Sequence, residues 1–571
     1  MNKNPLLAID FYKADHRRQY PVGTTKVYSS FTPRTFKRYK GDSDKVVVFG
    51  IQMFIKDYLK SWKKHFFNKP QHKVVKKYKK FMDSTLGKDS IPVDHIKALH
   101  NLGYLPIQIK ALPEGTLAPA KIPVVSITNT HPDFFWLVNY LETVMSAELW
   151  KPMTNATIAY DYRRTFEKYA DLTGASKDFI PFQGHDFSAR GLSGIEDQFK
   201  TQISHLLSFV GTDNCLAIEG ARKFYNADYT TQLVGTSVPA TEHSTMSSNI
   251  EVIKHSLDVT GKWVTPANKS LSTDMLQFDS SHTNTQRLAE IAYVWYLITE
   301  VYPTGVISIV ADTFDFWYMM EFGIKVLKPV IESRKPNSLG LAKVVFRPDS
   351  GNPVDVICGF NIVPTSFDGC STLQEAYQEF EDYLYDNIKN YDVFMYKDKY
   401  YSADGEVQEV VVKGAIECLW DVFGGTTNDK GYKTLSPCVG LIYGDSITLE
   451  RQDTILKKLA DKKFASDNIV LGIGSYTYQM NTRDTLGFAM KATYCEVDRK
   501  PYNIYKDPAT DDGTKKSPKG LLQVKEIDGN LMLSDQCTWS EEQDSLLQTV
   551  YCNGETIKET SLQEIRERLW Q

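Results

Sequence analysis

His243 follows Glu242 in segment 237–245, a stretch too polar, and too broken by Pro239, to form a core element. A histidine there changes charge near neutral pH and can serve as a nucleophile. Further along, acidic and basic residues repeatedly follow short apolar runs. Asp312 and Asp315 come after 306–311, and Arg347, Asp349 and Gly351 after 342–346. Gly444 and Asp445 come after 439–443, and Gly472, Gly474 and Ser475 after 468–471. Carboxylates accept hydrogen bonds from ribose hydroxyls, and Mg²⁺ takes oxygen ligands from carboxylates and substrate phosphates. A glycine turn at a helix start presents backbone N–H groups to a phosphate. Arginine grips phosphate through paired contacts, and Arg190, Arg347 and Arg483 each sit in a short motif rather than a charge run. Together these residues point to one pocket for an anionic, phosphate-bearing sugar. Each also has a plainer reading: a strand-end acid caps the next helix, an arginine joins a surface ion pair, and a loop histidine is hydrogen-bonded in place. Recurrence of the pattern argues against capping alone. None of the eleven histidines forms a His-Glu-x-x-His or comparable metal pair.

Such residues need a scaffold. The runs 306–311, 342–346, 439–443 and 468–471 are continuous rather than alternating, which predicts parallel strands buried on both faces. Helical segments lie between them. Residues 146–484 therefore read as an α/β unit, a barrel or an open doubly wound sheet, with its active site at the C-terminal strand ends. Long stretches near 250–300 and 356–436 read as insertions. Residues 1–145 carry strand patterns over 105–112 and 122–127 and a buried helix over 134–145. The basic run 72–80 reads as a solvated helix face. After 485, strands and turns lead to a closing helix, started by Ser561 with Glu564 in a capping-box pattern.

Composition sets the bounds. The chain has 571 residues, 42% hydrophobic and 24% charged, ordinary for a globular protein with a large core. A net charge of −4 gives no global field for nucleic acid. The eight cysteines form no C-x-x-C pair, which argues for free thiols in a reducing cytoplasm. No window of about 18 apolar residues predicts a membrane span, and the first residues do not read as a secretory signal.

Taken in order, these segments resemble those of the nicotinamide phosphoribosyltransferases, type II phosphoribosyltransferases related to the nicotinate phosphoribosyltransferases. The resemblance runs through Asp10, Tyr12, Lys13, 16–21, 28–34, His185, Asp186, Phe187, 211–213 and 237–245. It continues through 312–315, 347–353, Gly444, Asp445 and 482–484 to Lys491 and 505–508. It implies an α/β fold: an irregular barrel of the type II phosphoribosyltransferase kind over 146–484, and a smaller α+β domain from 1–145 and 485–571. It also implies a homodimer with active sites at the subunit interface. The implied reaction, part of NAD salvage, joins nicotinamide to 5-phosphoribosyl 1-diphosphate, giving nicotinamide mononucleotide and diphosphate.

The resemblance also assigns roles. Phe187 would stack one face of the pyridine ring and Tyr12, from the neighbouring subunit, the other, as flat heteroaromatic rings favour. Asp213 would accept the amide N–H of nicotinamide and repel nicotinate. Arg190 and Arg347 would bind phosphate or diphosphate; Asp349, Gly444 and Asp445 the ribose. Gly474, Ser475 and Arg483 would form the 5-phosphate end, with Arg34 and Lys491 of the neighbouring subunit. Asp315 and Asp349 would stabilise positive charge at the anomeric carbon. Mg²⁺ would travel with the diphosphate. ATP would phosphorylate His243 and drive synthesis. The chain departs from the pattern at Ser475 and Tyr476, where the family has a longer glycine run, and at Ala311 and Ala489, where serine is common.

Overall fold

The continuous apolar runs do form parallel strands. In the computed structural model, which describes residues 4–276, 284–386, 391–444, 446–507, 510 and 516–571, a six-stranded sheet carries them in the order Gly305–Val310, Ala342–Arg347, Val439–Tyr443, Ile469–Ile473, Gly184–Asp186, Gly211–Thr212. Every pairing in it is parallel. The two outer strands are joined by segment 236–241. Thr212 N donates to Thr236 O and Thr236 N to Val210 O on one side; Ser308 N donates to Pro239 O and Thr241 N to Ser308 O on the other. The sheet thus curls into a ring that follows chain order, and the barrel reading holds over the open sheet. The joining segment is short and carries Pro239, so it shows no strand periodicity in the sequence.

Helices clothe the ring. His243–Thr260 turns Met246, Ile250, Ile253 and Leu257 inward, and these pack with Leu288, Ala289, Ile291 and Ala292 of Thr285–Tyr296 in the barrel core. Much of the stretch read as an insertion near 250–300 is therefore this helical layer; the hairpin Lys262–Val264 with Ser270–Ser272 is added to it. Within 356–436, the strands Ile362–Ser366, Val393–Tyr396, Lys399–Ser402 and Gly405–Val407 form a sheet with helix Leu373–Asp386 and a core of their own around Phe367, Phe380 and Phe394. Ala415, Ile416 and Leu419 then return to the barrel core.

The second body is a seven-stranded sheet that draws strands from both chain ends. Thr24–Thr32 lies between Ala489–Val497 and Val125–Asn129, antiparallel to both. Ile107–Ala111 pairs with Gln548–Cys552. The basic run lies on helix Gln71–Leu86, which buries Val75, Tyr78 and Met82. Helix Leu562–Leu569 opens with the expected capping box, Ser561 with Glu564. Its Leu562, Ile565 and Leu569 pack with Ile203 and Leu206 of the barrel's helical layer, so the last residues bridge the two bodies.

Candidate active site

His243 is the first residue of its helix and its side chain is half exposed. Glu242, its sequence neighbour, does not pair with it; that side chain caps the helix with Thr245. The carboxylates facing the ring come from other strands. His243 Nε2 lies 3.9 Å from Asp312 Oδ1 and 3.9 Å from Asp349 Oδ2. Asp312 is nearly fully buried, at 3% side-chain exposure. Its Oδ2 accepts Asp349 N–H at 2.8 Å and Ser350 Oγ–H at 2.7 Å, and its Oδ1 has no hydrogen-bond partner. Tyr443 Oη–H donates to Ser350 O and Gly351 O and fixes the same turn. Asp315 faces elsewhere: it caps Phe316–Tyr318 by accepting Tyr318 N–H and pairs with Arg287. Asp312 and Asp349, not Asp315, are thus the acids beside His243, whereas the resemblance gives the charge-stabilising role to Asp315 with Asp349.

Across the barrel mouth, His185 Nε2 meets Asp213 Oδ1 at 2.8 Å, and Ser237 Oγ–H donates to the same oxygen at 2.5 Å. Burial pushes the Asp213 carboxyl up, but the His185 and Ser237 hydrogen bonds, with the His185 and Arg347 charges, outweigh it and hold the group below the usual carboxylate range. Arg347 is tethered by one guanidinium nitrogen to Thr241 O at 2.7 Å, while its buried Nε has no protein partner. Phe187 lies 4.8 Å from His185, ring to ring. Gly472 makes room for it: a Cβ there would stand 2.5 Å from Phe187 Cδ2 and 2.8 Å from the Gly444 Cα. Gly444 in turn lies against Asp349. Asp445 and Pro508 fall outside the described residues. Phe187, Asp213, Ser237 and Arg347 line a mostly apolar cavity of about 520 Å³ that extends along the barrel to Lys343 and Ile469 at the strand starts.

The phosphate-binding candidates divide into two groups. Gly474 precedes the short helix Ser475–Gln479, and Ser475 packs on Gly191, next to the exposed Arg190. The Ser475 side chain occupies the room above that glycine. Arg34, Lys491 and Arg483 form the other group, and one chain supplies all three. Burial first, and then Arg34, Lys506 and Arg483, against Glu142, hold the Lys491 ammonium below its ordinary pKa. Tyr12 belongs with this second group. It is exposed, donates to Asp10 at 3.2 Å, and also feels Glu142. No hydrogen bond or ring contact among the described residues joins Tyr12 to Phe187.

Residues 182–555 match the model of the nicotinate phosphoribosyltransferase (NAPRTase) family, and residues 4–109 that of the nicotinamide phosphoribosyltransferase N-terminal domain. A nicotinamide phosphoribosyltransferase of Acinetobacter baylyi (strain ATCC 33305 / BD413 / ADP1) is 45% identical over 573 residues, covering 100% of this chain and 97% of that one. The chain belongs to the nicotinamide phosphoribosyltransferase family. Another relative of that name, from Xanthomonas campestris pv. campestris (strain 8004), is 27% identical over 99% of this chain and 97% of its own length. A solved structure of human nicotinic acid phosphoribosyltransferase aligns at 14% identity and a TM-score of 0.49, over 98% of this chain and 92% of that one.

Proposed function

We propose that this protein transfers the 5-phosphoribosyl group of 5-phosphoribosyl 1-diphosphate to the ring nitrogen of nicotinamide. A C–N bond forms at the anomeric carbon, the C–O bond to diphosphate breaks, and the products are nicotinamide mononucleotide and diphosphate. The observation that carries this reading is Asp213, fixed through one oxygen by His185 and Ser237 beside the Phe187 ring. Its other oxygen accepts the carboxamide N–H, and its charge disfavours a carboxylate on the ring. Positive charge at the anomeric carbon is met by Asp349 and Asp312. Two opposite charges about 4 Å apart attract by about 4 kcal/mol at an effective dielectric near 20, roughly three powers of ten in rate.

His243 takes the γ-phosphoryl group of ATP on its imidazole, ADP leaves, and water later releases phosphate. Its place at the start of helix His243–Thr260 suits an anion there, because the helix N-terminus carries partial positive charge. Among the described residues no group of three or more His, Cys, Asp or Glu is placed to hold a metal ion. Mg²⁺ would enter with the substrate and supply positive charge to the leaving diphosphate. A homodimer completes the site, the partner bringing its Tyr12, Arg34, Lys491 and Arg483 to the barrel mouth. The unpaired cysteines suit the reducing cytoplasm.

The test is synthesis of nicotinamide mononucleotide from nicotinamide, 5-phosphoribosyl 1-diphosphate and Mg²⁺, with and without ATP. Product is expected in both, rising with ATP, and His243→Ala loses the rise. Product from nicotinate alone would assign the nicotinate reaction instead; no product from either base, in a folded protein, would make this a binding protein.

A further inference from the structure

Helix Thr285–Tyr296 touches both sides of the His243–Asp312 pair. At its start, Thr285 Oγ1–H donates to Asp258 at 2.6 Å and Gln286 Nε2–H to Glu251 at 3.3 Å, and both acceptors lie on the helix that His243 begins. The next residue reaches turn 312–315. Arg287 pairs with Asp315, and its guanidinium lies 4.9 Å from the Tyr318 ring centroid, over the short helix Asp315 caps. Glu290, one turn further, is 2% exposed. Burial pushes its carboxyl up to about 8; the Thr313 backbone N–H opposes that shift, and the Asp312 and Asp315 charges add to it. Glu290 Oε1, Asp312 Oδ1 and Thr313 Oγ1 are all buried without hydrogen-bond partners. An acid enclosed beneath two other acids is a poor choice for packing alone, since an apolar side chain would avoid its desolvation.

We propose that Arg287 and Glu290 are positioning residues: together they hold turn 312–315 so that Asp312 and Asp349 face His243. This rests on the functional reading above only for its kinetic consequence. Arg287 fixes the far end of the turn through Asp315. Glu290, one turn on from Arg287, backs the middle of the turn as a buried acid whose Oε1, like Asp312 Oδ1 and Thr313 Oγ1, has no hydrogen-bond partner. Asp312, in the turn so held, then presents Oδ1 to the ring and Oδ2 to the Asp349 amide. The stretch 285–296 is thereby part of the reaction's scaffold.

The test uses full-length Glu290→Leu, Glu290→Gln and Arg287→Met, with two readouts. Hydrogen exchange over 311–318 needs no activity. It is expected to accelerate about tenfold or more in Glu290→Leu and Arg287→Met, and to stay near wild type in Glu290→Gln, which keeps an acceptor and resembles the uncharged acid. In turnover, the first two variants are expected to lose about tenfold or more in kcat. Their KM for nicotinamide should stay near wild type, because Phe187 and Asp213 stand on other strands, and Glu290→Gln should retain most of kcat. Unchanged exchange over 311–318 in both Leu and Met variants would overturn the proposal. So would a uniform loss of kcat, KM and melting temperature that Gln fails to rescue. If the wild type proves inactive on nicotinamide, the functional reading fails, and the exchange measurement still decides this one.

Discussion

On the proposed reaction, Asp213 can serve as the specificity group because two neighbours fix it. His185 is 28 residues away in sequence and Ser237 is 24, yet both bond the same carboxylate oxygen. Replacing Asp213 with Asn keeps the shape and removes the charge that repels nicotinate, while Arg347 remains nearby to attract it. The ratio of kcat/KM for nicotinate over nicotinamide is expected to rise at least about tenfold in Asp213→Asn, measured by competition between the two bases; an unchanged ratio would move specificity elsewhere in the pocket. Single residues were only partly legible in the sequence. The resemblance marked Asp213 and His243, and strand-end position marked Asp312, Asp315, Arg347 and Asp349 as a set. The resemblance put Asp315 with Asp349 at the anomeric carbon, and sequence could not show that Asp312 rather than Asp315 lies beside His243, because that depends on how a turn is held by a distant helix. Glu242 misled for the opposite reason: adjacency along the chain put it beside His243, and the local capping bond took its side chain away.

At the scale of elements, the parallel strands were the clearest signal, since strands covered on both faces must be apolar throughout. The closing segment 236–241 was not legible, having neither alternation nor an apolar run. Helices His243–Thr260 and Thr285–Tyr296 were hidden inside what looked like an insertion; the polar hairpin between them dilutes their pattern. Strand packing also sets the pocket's width. Ile469–Ile473 passes so close to Phe187 and Gly444 that residue 472 has no room for a side chain. The backbone of Gly472 is not left-handed, so space alone excludes alanine. Gly472→Ala is therefore expected to displace the Phe187 ring and raise KM for nicotinamide about tenfold, with a smaller change in the KM for 5-phosphoribosyl 1-diphosphate. Steady-state kinetics with each substrate varied in turn would check this; equal effects on both would mean that the whole mouth has shifted.

At the scale of the molecule, the candidate residues fall into two patches on one chain. The barrel mouth carries His243, Asp312, Asp349, Asp213 and Phe187, which an unbroken series of contacts links. The terminal body carries Tyr12, Arg34, Lys491 and Arg483, around Glu142. A Lys491 depressed first by burial and then by the Arg34, Lys506 and Arg483 charges favours an anion beside it, and an exposed Tyr12 offers an aromatic face. A ring between Phe187 and Tyr12 would bring the patches together, and two-fold symmetry achieves this by pairing each barrel with the other subunit's terminal body. Mixed dimers distinguish that arrangement from a site closed within one chain. Asp349→Ala disables the barrel patch and Tyr12→Ala the other, so each homodimer should be strongly impaired. Co-expressed under different tags and purified as a mixed dimer, the two variants would leave one site with both patches intact and one with both damaged, giving about half of wild-type activity. If each chain instead closes its own site, both sites of the mixed dimer carry a lesion, and activity stays at the mean of the two impaired parents. Restoration therefore follows only if the patches meet across subunits.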